Sequence, residues 1–188
     1  PTVDPPRLLR ERYADWHWTV AWQYAPPAIT YRLDGPRGEV HFLKLGPVDA
    51  HPSLSDEAAR MRWAGVHLPV PGVLEQDAEG DTAWLLTERL TGADATDARW
   101  RGEPARLVAA LARSLRRVHE APAVDCPFDF RLDRALAHAR SRVEAGLVLP
   151  DRDFHEEFSG LSAATALSIL EQSRPAEESL VVCHGDYC

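Results

Sequence analysis

The chain has 188 residues, 45% hydrophobic and 27% charged, with 29 Asp+Glu against 21 Lys+Arg and a formal net charge of −8. This is a globular composition, long enough for one domain or two small lobes. An acidic surface repels phosphate backbones, which argues against a nucleic-acid partner and favours a cationic small molecule. Cys126, Cys183 and Cys188 are too few and too scattered for a disulfide framework or a zinc site. No apolar run reaches the roughly 18 residues a membrane span needs, and the charged, proline-broken start is no signal peptide. A soluble, cytoplasmic protein is expected. The absent initiator Met points to trimmed ends.

"PPRLLRERYA" (5–14) opens with proline and carries apolar residues at helical spacing, predicting a short helix. The β-branched and aromatic runs at 17–23, 28–34 and 39–45 predict strands, the last two joined by the turn "DGPRG". "SLSDEAARMRWAG" (53–65) reads as a helix with Ser55 as N-cap and Gly65 as stop. Two further strands are expected at "GVLEQ" and "TAWLLTE", turning at "DAEGD". Beyond "TGADATD" (91–97) the character changes: helices are expected over 103–121, 130–146 and 162–173, then a short strand or extended segment at "SLVVCHG". Strands cluster before residue 90 and helices after it. That segregation predicts an α+β chain of two lobes, residues 1–90 and 91–188, with the boundary near 88–96.

Two sets of residues carry candidate chemistry. Lys44 lies in the apolar strand "HFLKL" on the face of Phe42, where an ammonium must reach solvent or meet an anion. Glu57, thirteen residues on, sits on the predicted helix and is able to face it. A strand lysine held by a helix glutamate orients the lysine toward nucleotide phosphates in kinase-like enzymes; on these two residues alone, an edge-strand lysine and a solvated glutamate fit as well. The second set is His184-Gly185-Asp186. A loop aspartate can accept a hydrogen bond from a substrate hydroxyl and orient it toward a γ-phosphate, although the same triplet suits half of a metal or hydrolase site. His119 and Cys126 read as structural.

The order strand Lys, helix Glu, hinge, long helix, H-G-D is that of a kinase's catalytic elements. With "LSDEAARMRWAGVHLPVPGVLEQ", "VHEAPAVDCPFDF", "EAGLV" and "LVVCHGDYC", the chain resembles the aminoglycoside 3′-phosphotransferases, antibiotic-resistance kinases, from about residue 11 to its end. The resemblance implies a protein-kinase-like two-lobed fold, with an antiparallel β N-lobe and a mostly helical, incomplete C-lobe. It implies ATP and Mg²⁺ as cofactors and phosphorylation of an aminoglycoside hydroxyl, 3′ rather than 3″, as the activity. Lys44 then matches the lysine that binds the α- and β-phosphates, Glu57 its helix partner, and Phe42 the aromatic that stacks on adenine. Thr87 and Arg89 fall on the hinge whose backbone holds the adenine edge. Asp186 matches the catalytic aspartate, and Asp153, Glu156 and Glu157 fall on the antibiotic-binding loop, where His155 stands in place of a frequent acid.

Two departures from the family pattern stand out. The phosphate loop, Gly- and Ser-rich in the family, here reads "AWQYAPPAI"; Pro26 and Pro27 lack N–H donors. The family's metal-holding Asn and Asp follow the catalytic aspartate at positions this chain does not contain. No metal ligand is therefore assigned within it, and a truncated kinase, inactive as 188 residues, is expected. A kinase for another small cationic metabolite and a non-catalytic nucleotide- or drug-binding remnant are the alternatives. The oligomeric state is left open.

Overall fold

The computed structural model describes residues 4–23, 27–50 and 52–185. It holds a five-stranded antiparallel sheet and six α-helices in the order α1 (Arg7–Arg12), β1 (His17–Trp22), β2 (Ile29–Asp34), β3 (Val40–Pro47), α2 (Leu54–Ala64), β4 (Val73–Glu79), β5 (Thr82–Glu88), α3 (Pro104–His119), α4 (Leu132–Glu144), α5 (Pro150–Asp153) and α6 (Ala163–Gln172). The strands lie in the order β1-β2-β3-β5-β4. The α+β class expected from the sequence is the class observed.

Local chemistry sets the joints. The β2–β3 turn closes with Gly35 N–H donating to Glu39 O at 2.8 Å, and Gly38 at φ 89° takes the left-handed position that a side chain would resist. The β4–β5 turn is tighter than expected. Asp77, Ala78 and Glu79 stay paired with Trp84, Ala83 and Thr82, leaving only Gly80 (φ 58°) and Asp81 to reverse the chain. Helix α2 is capped by Ser53, not Ser55. Ser53 Oγ accepts from Asp56 N–H at 3.0 Å while the Asp56 carboxylate accepts from Ser53 N–H. Ser55 would have Ala58 at the matching position, which cannot return that bond.

The two faces of the sheet bury different sets. On one, Leu9 of α1 joins Ile29, Leu33, Leu43, Leu45, Trp84 and Leu86, with Tyr13, Trp16, Trp18 and Tyr31 packed around them. On the other, Leu54 and Ala58 of α2 meet Ala83 and Leu85, with Met61 and Val73 alongside. Complete burial of each large apolar side chain stabilises the fold by about 1.5–3 kcal/mol, so β5, buried on both faces, and β3, whose Leu43 and Leu45 are buried on one, anchor the sheet.

The chain divides into two compact units, Pro1–Val118 and His119–Cys188. The division falls beyond residues 88–96, where strands give way to helices, and groups most of α3 with the sheet. In the second unit α4 packs on α6, tied by the ion pairs Arg140–Glu171 and Arg174–Asp133, the latter at 2.7 Å. Residues 179–184 form no strand: Leu180 and Val181 stay exposed, and no described strand pairs with them. No helix among the described residues is long and apolar enough to cross a membrane.

Candidate active site

Residues paired across neighbouring strands share a face of the sheet. Lys44 pairs with Thr30 on β2 and Leu85 on β5, and Phe42 pairs with Arg32 and Thr87. These side chains therefore stand on the face covered by α2. There Lys44 Nζ donates to Glu57 Oε2 at 2.6 Å. Both side chains are partly solvated, 42% and 35% exposed, so the pair contributes little to stability. Its consequence is positional: a flexible ammonium is held at one point on the sheet.

That point lies in a cavity of about 650 Å³, lined among others by Phe42, Lys44, Glu57, Met61, Leu85, Thr87 and Glu88. The volume is within the range of small-ligand and cofactor sites, and the lining joins apolar walls to a few polar groups. Thr87 is nearly buried, its hydroxyl donating to the Phe42 carbonyl at 3.5 Å. Arg89 is placed elsewhere. It lines a second, shallower depression of about 450 Å³ with Glu39, His41 and Thr91, while its neighbours Glu88 and Leu90 line the Lys44 cavity. The structure thus brings together Phe42, Lys44, Glu57 and Thr87 and leaves Arg89 outside that group.

In the second unit the acidic stretch forms α5 followed by a 3₁₀ turn, Glu156–Phe158. Asp153 is engaged internally, pairing with Arg152 at 2.7 Å and accepting from Leu149 N–H at 2.8 Å. The Arg152 guanidinium, together with that amide, holds its carboxyl below the usual carboxylate range, so it stays ionised through mildly acid pH. Glu156 and Glu157 are exposed, and His155 Nδ1 accepts from Glu157 N–H at 3.3 Å. Of the three acids, these two have carboxylates turned to solvent.

Asp186 and Pro26 lie outside the described residues. Gly185, just before Asp186, has φ 89°, a backbone that glycine alone adopts freely. Among the described residues no three His, Cys, Asp or Glu side chains are grouped to hold a metal ion. Sequence reasoning missed Trp22 and Met61, which also line the Lys44 cavity. Met61 was findable, four residues past Glu57 on the same helix face; Trp22 depends on a strand irregularity without a compositional mark.

A sheet lysine braced by a helix carboxylate, at one end of a cavity with an aromatic wall, is an arrangement for binding a phosphorylated ligand. Residues 28–188 match the sequence model of the phosphotransferase enzyme family, and the chain belongs to that family. It is 39% identical to an aminoglycoside 3′-phosphotransferase of Streptomyces fradiae over 96% of this chain and 69% of that protein. Its structure superposes on the crystal structure of a type VIII aminoglycoside-3′-phosphotransferase with a TM-score of 0.83 at 38% identity, covering 97% of this chain and 67% of the other. An aminoglycoside phosphotransferase of Streptomyces rimosus, solved in complex with ADP and streptomycin, matches with a TM-score of 0.64 at 28% identity, over 88% of this chain and 58% of the other. The protein-kinase-like fold expected from the sequence is therefore the fold of this chain.

Proposed function

We propose that this chain carries the nucleotide lobe and part of the substrate lobe of an ATP-dependent aminoglycoside O-phosphotransferase, acting on the 3′ hydroxyl and conferring resistance. The observation that carries the reading is the Lys44–Glu57 pair, 2.6 Å apart, in a cavity also lined by Phe42 and Thr87. Lys44 is fixed where it can meet the α- and β-phosphates, and Phe42 offers a ring to the adenine base. Backbone groups around Thr87–Leu90, Arg89 among them, are assigned the adenine edge. Glu156 and Glu157 are assigned the ammonium groups of the drug, with Asp153 bracing their loop through Leu149 and Arg152. The relatives' printed names and the 39% identity support the substrate class.

The transfer is written with Asp186 as base. Its carboxylate accepts the proton of the sugar hydroxyl as that oxygen bonds to the γ-phosphorus, the bond from γ-phosphorus to the bridging oxygen breaks, and ADP leaves with that electron pair. Mg²⁺ rests on the family resemblance alone.

The test grafts residues 1–188 onto the Streptomyces fradiae relative in place of its matching part and measures kanamycin-dependent ADP release. Turnover comparable to the parent relative is expected, together with loss of turnover in Lys44→Met. A well-folded graft that binds ADP but phosphorylates no aminoglycoside would overturn the substrate class. One that binds no ADP would overturn the nucleotide site.

A further inference from the structure

The alternation of β1, "HWTVAW", places Trp18, Val20 and Trp22 on one face. Trp18 and Val20 follow that rule. They pair with Leu33 and Tyr31, on the face of the Leu9–Trp84 core, and Trp18 packs against that core. Continued in register, Trp22 would pair with Ile29 and stand on the same face. It does not. The register shifts between Val20 and Trp22, and Trp22 pairs with Thr30 instead. An extra residue in one strand turns every following side chain to the opposite face.

The result is an indole on the row that runs Trp22, Thr30, Lys44, Leu85 across four strands. Trp22 lines the Lys44 cavity, yet 66% of its surface remains exposed. It stands two strand spacings, about 10 Å, from Lys44, at the strand end that leads into "QYAPP". A large aromatic ring is thus turned from the core face, where Val20 is itself 59% exposed, to an open cavity wall.

We infer that Trp22 is a second aromatic binding residue for the nucleoside end of the bound nucleotide, complementing Phe42 on the same face. The inference rests on reading this cavity as the nucleotide site. A ring at this place covers the base or ribose by stacking and apolar contact.

ADP binding to the 188-residue chain is measured by calorimetry for the parent, Lys44→Met, Trp22→Ala and Trp22→Phe, with the unfolding temperature of each. Trp22→Ala is expected to weaken ADP by about tenfold, the scale of base–aromatic stacking. Trp22→Phe should stay within about threefold of the parent, and unfolding temperatures should not change, because the ring is exposed. ADP should also quench indole fluorescence in the parent and not in Trp22→Phe. If the parent binds ADP, Lys44→Met weakens it, and Trp22→Ala binds like the parent, Trp22 has no such role while the nucleotide site stands. Equal losses in Trp22→Ala and Trp22→Phe, or lost thermal stability accounting for weaker binding, also overturn it. If the parent fails to bind ADP at all, the nucleotide site itself is wrong.

Discussion

The sheet-bearing unit, Pro1–Val118, and the helical unit, His119–Cys188, are stabilised by different means. The first buries two clusters, one on each face of its sheet, and includes five side chains at 0% exposure, among them Leu33, Leu43 and Leu45. Among its described residues the second buries only Ala121 and Leu136, at 8% and 9% exposure, while Ile169 and Leu170 of α6 are 47% and 56% exposed. The ion pairs that tie α4 to α6 and to Arg174 just past it are partly exposed, which makes them weak. The two candidate half-sites follow the same division. The Lys44–Glu57 pair is mounted on a rigid strand and a capped helix, as a fixed electrostatic site requires. The acids of 153–157 sit on one short helical turn and a 3₁₀ turn, which suits recognition of a polycation whose groups vary in position.

If chemistry is divided this way, Asp186→Ala in the grafted enzyme should lower turnover by about 10²–10⁴-fold, the usual contribution of a positioned base. ADP affinity should be unchanged. Steady-state kinetics beside ADP calorimetry check this, and a loss of ADP binding equal to the loss of turnover would break the division. In the folding comparison, Leu43→Ala should cost about 2–5 kcal/mol by denaturant unfolding, as a fully buried leucine leaves a cavity. Leu170→Ala, already exposed, should stay within about 0.5 kcal/mol. Equal costs would mean that the second unit carries more of the stability than its burial shows.

Neutralising Glu156 and Glu157 to Gln is expected to raise the drug's KM several-fold, roughly the sum of two screened charge contacts. KM for ATP should stay close to the parent's, and the salt dependence of drug binding should be shallower. Equal increases for drug and ATP would return these residues to the plain solvated surface. The smallest effect concerns α2. Ser53→Ala should cost about 1 kcal/mol, and Ser55→Ala much less; the reverse order, measured by thermal unfolding, would shift the cap to Ser55.

Much of the nucleotide half was legible in the sequence because its determinants are local. Strand alternation put Lys44 and Phe42 on one face, and the Ser-to-Gly frame of 53–65 put Glu57 on a helix facing it. The cap was misplaced by two residues because the deciding feature was Asp56's reciprocal bond rather than the presence of a serine. Trp22 was illegible for a stronger reason. Alternation in β1 is intact as written, and only pairing with β2 shows where the register shifts. Arg89, two residues past Thr87, would share its face if the strand continued; β5 ends at Glu88, and Arg89 lines the neighbouring depression. Residues 179–185 read as a short strand or an extended segment, and 179–184 take the second form, with no strand paired to them.

The central claim is that the cavity beneath α2 binds the nucleotide, and amide hydrogen exchange of the 188-residue chain with and without ADP tests it most directly. Slowed exchange is expected at Thr30, at Lys44 and Leu45, along Leu85–Leu90 and at the exposed end of β1, with the amides of α4 and α6 unchanged. ADP-dependent protection confined to the His119–Cys188 unit, or no change in the sheet at saturating ADP, would contradict it.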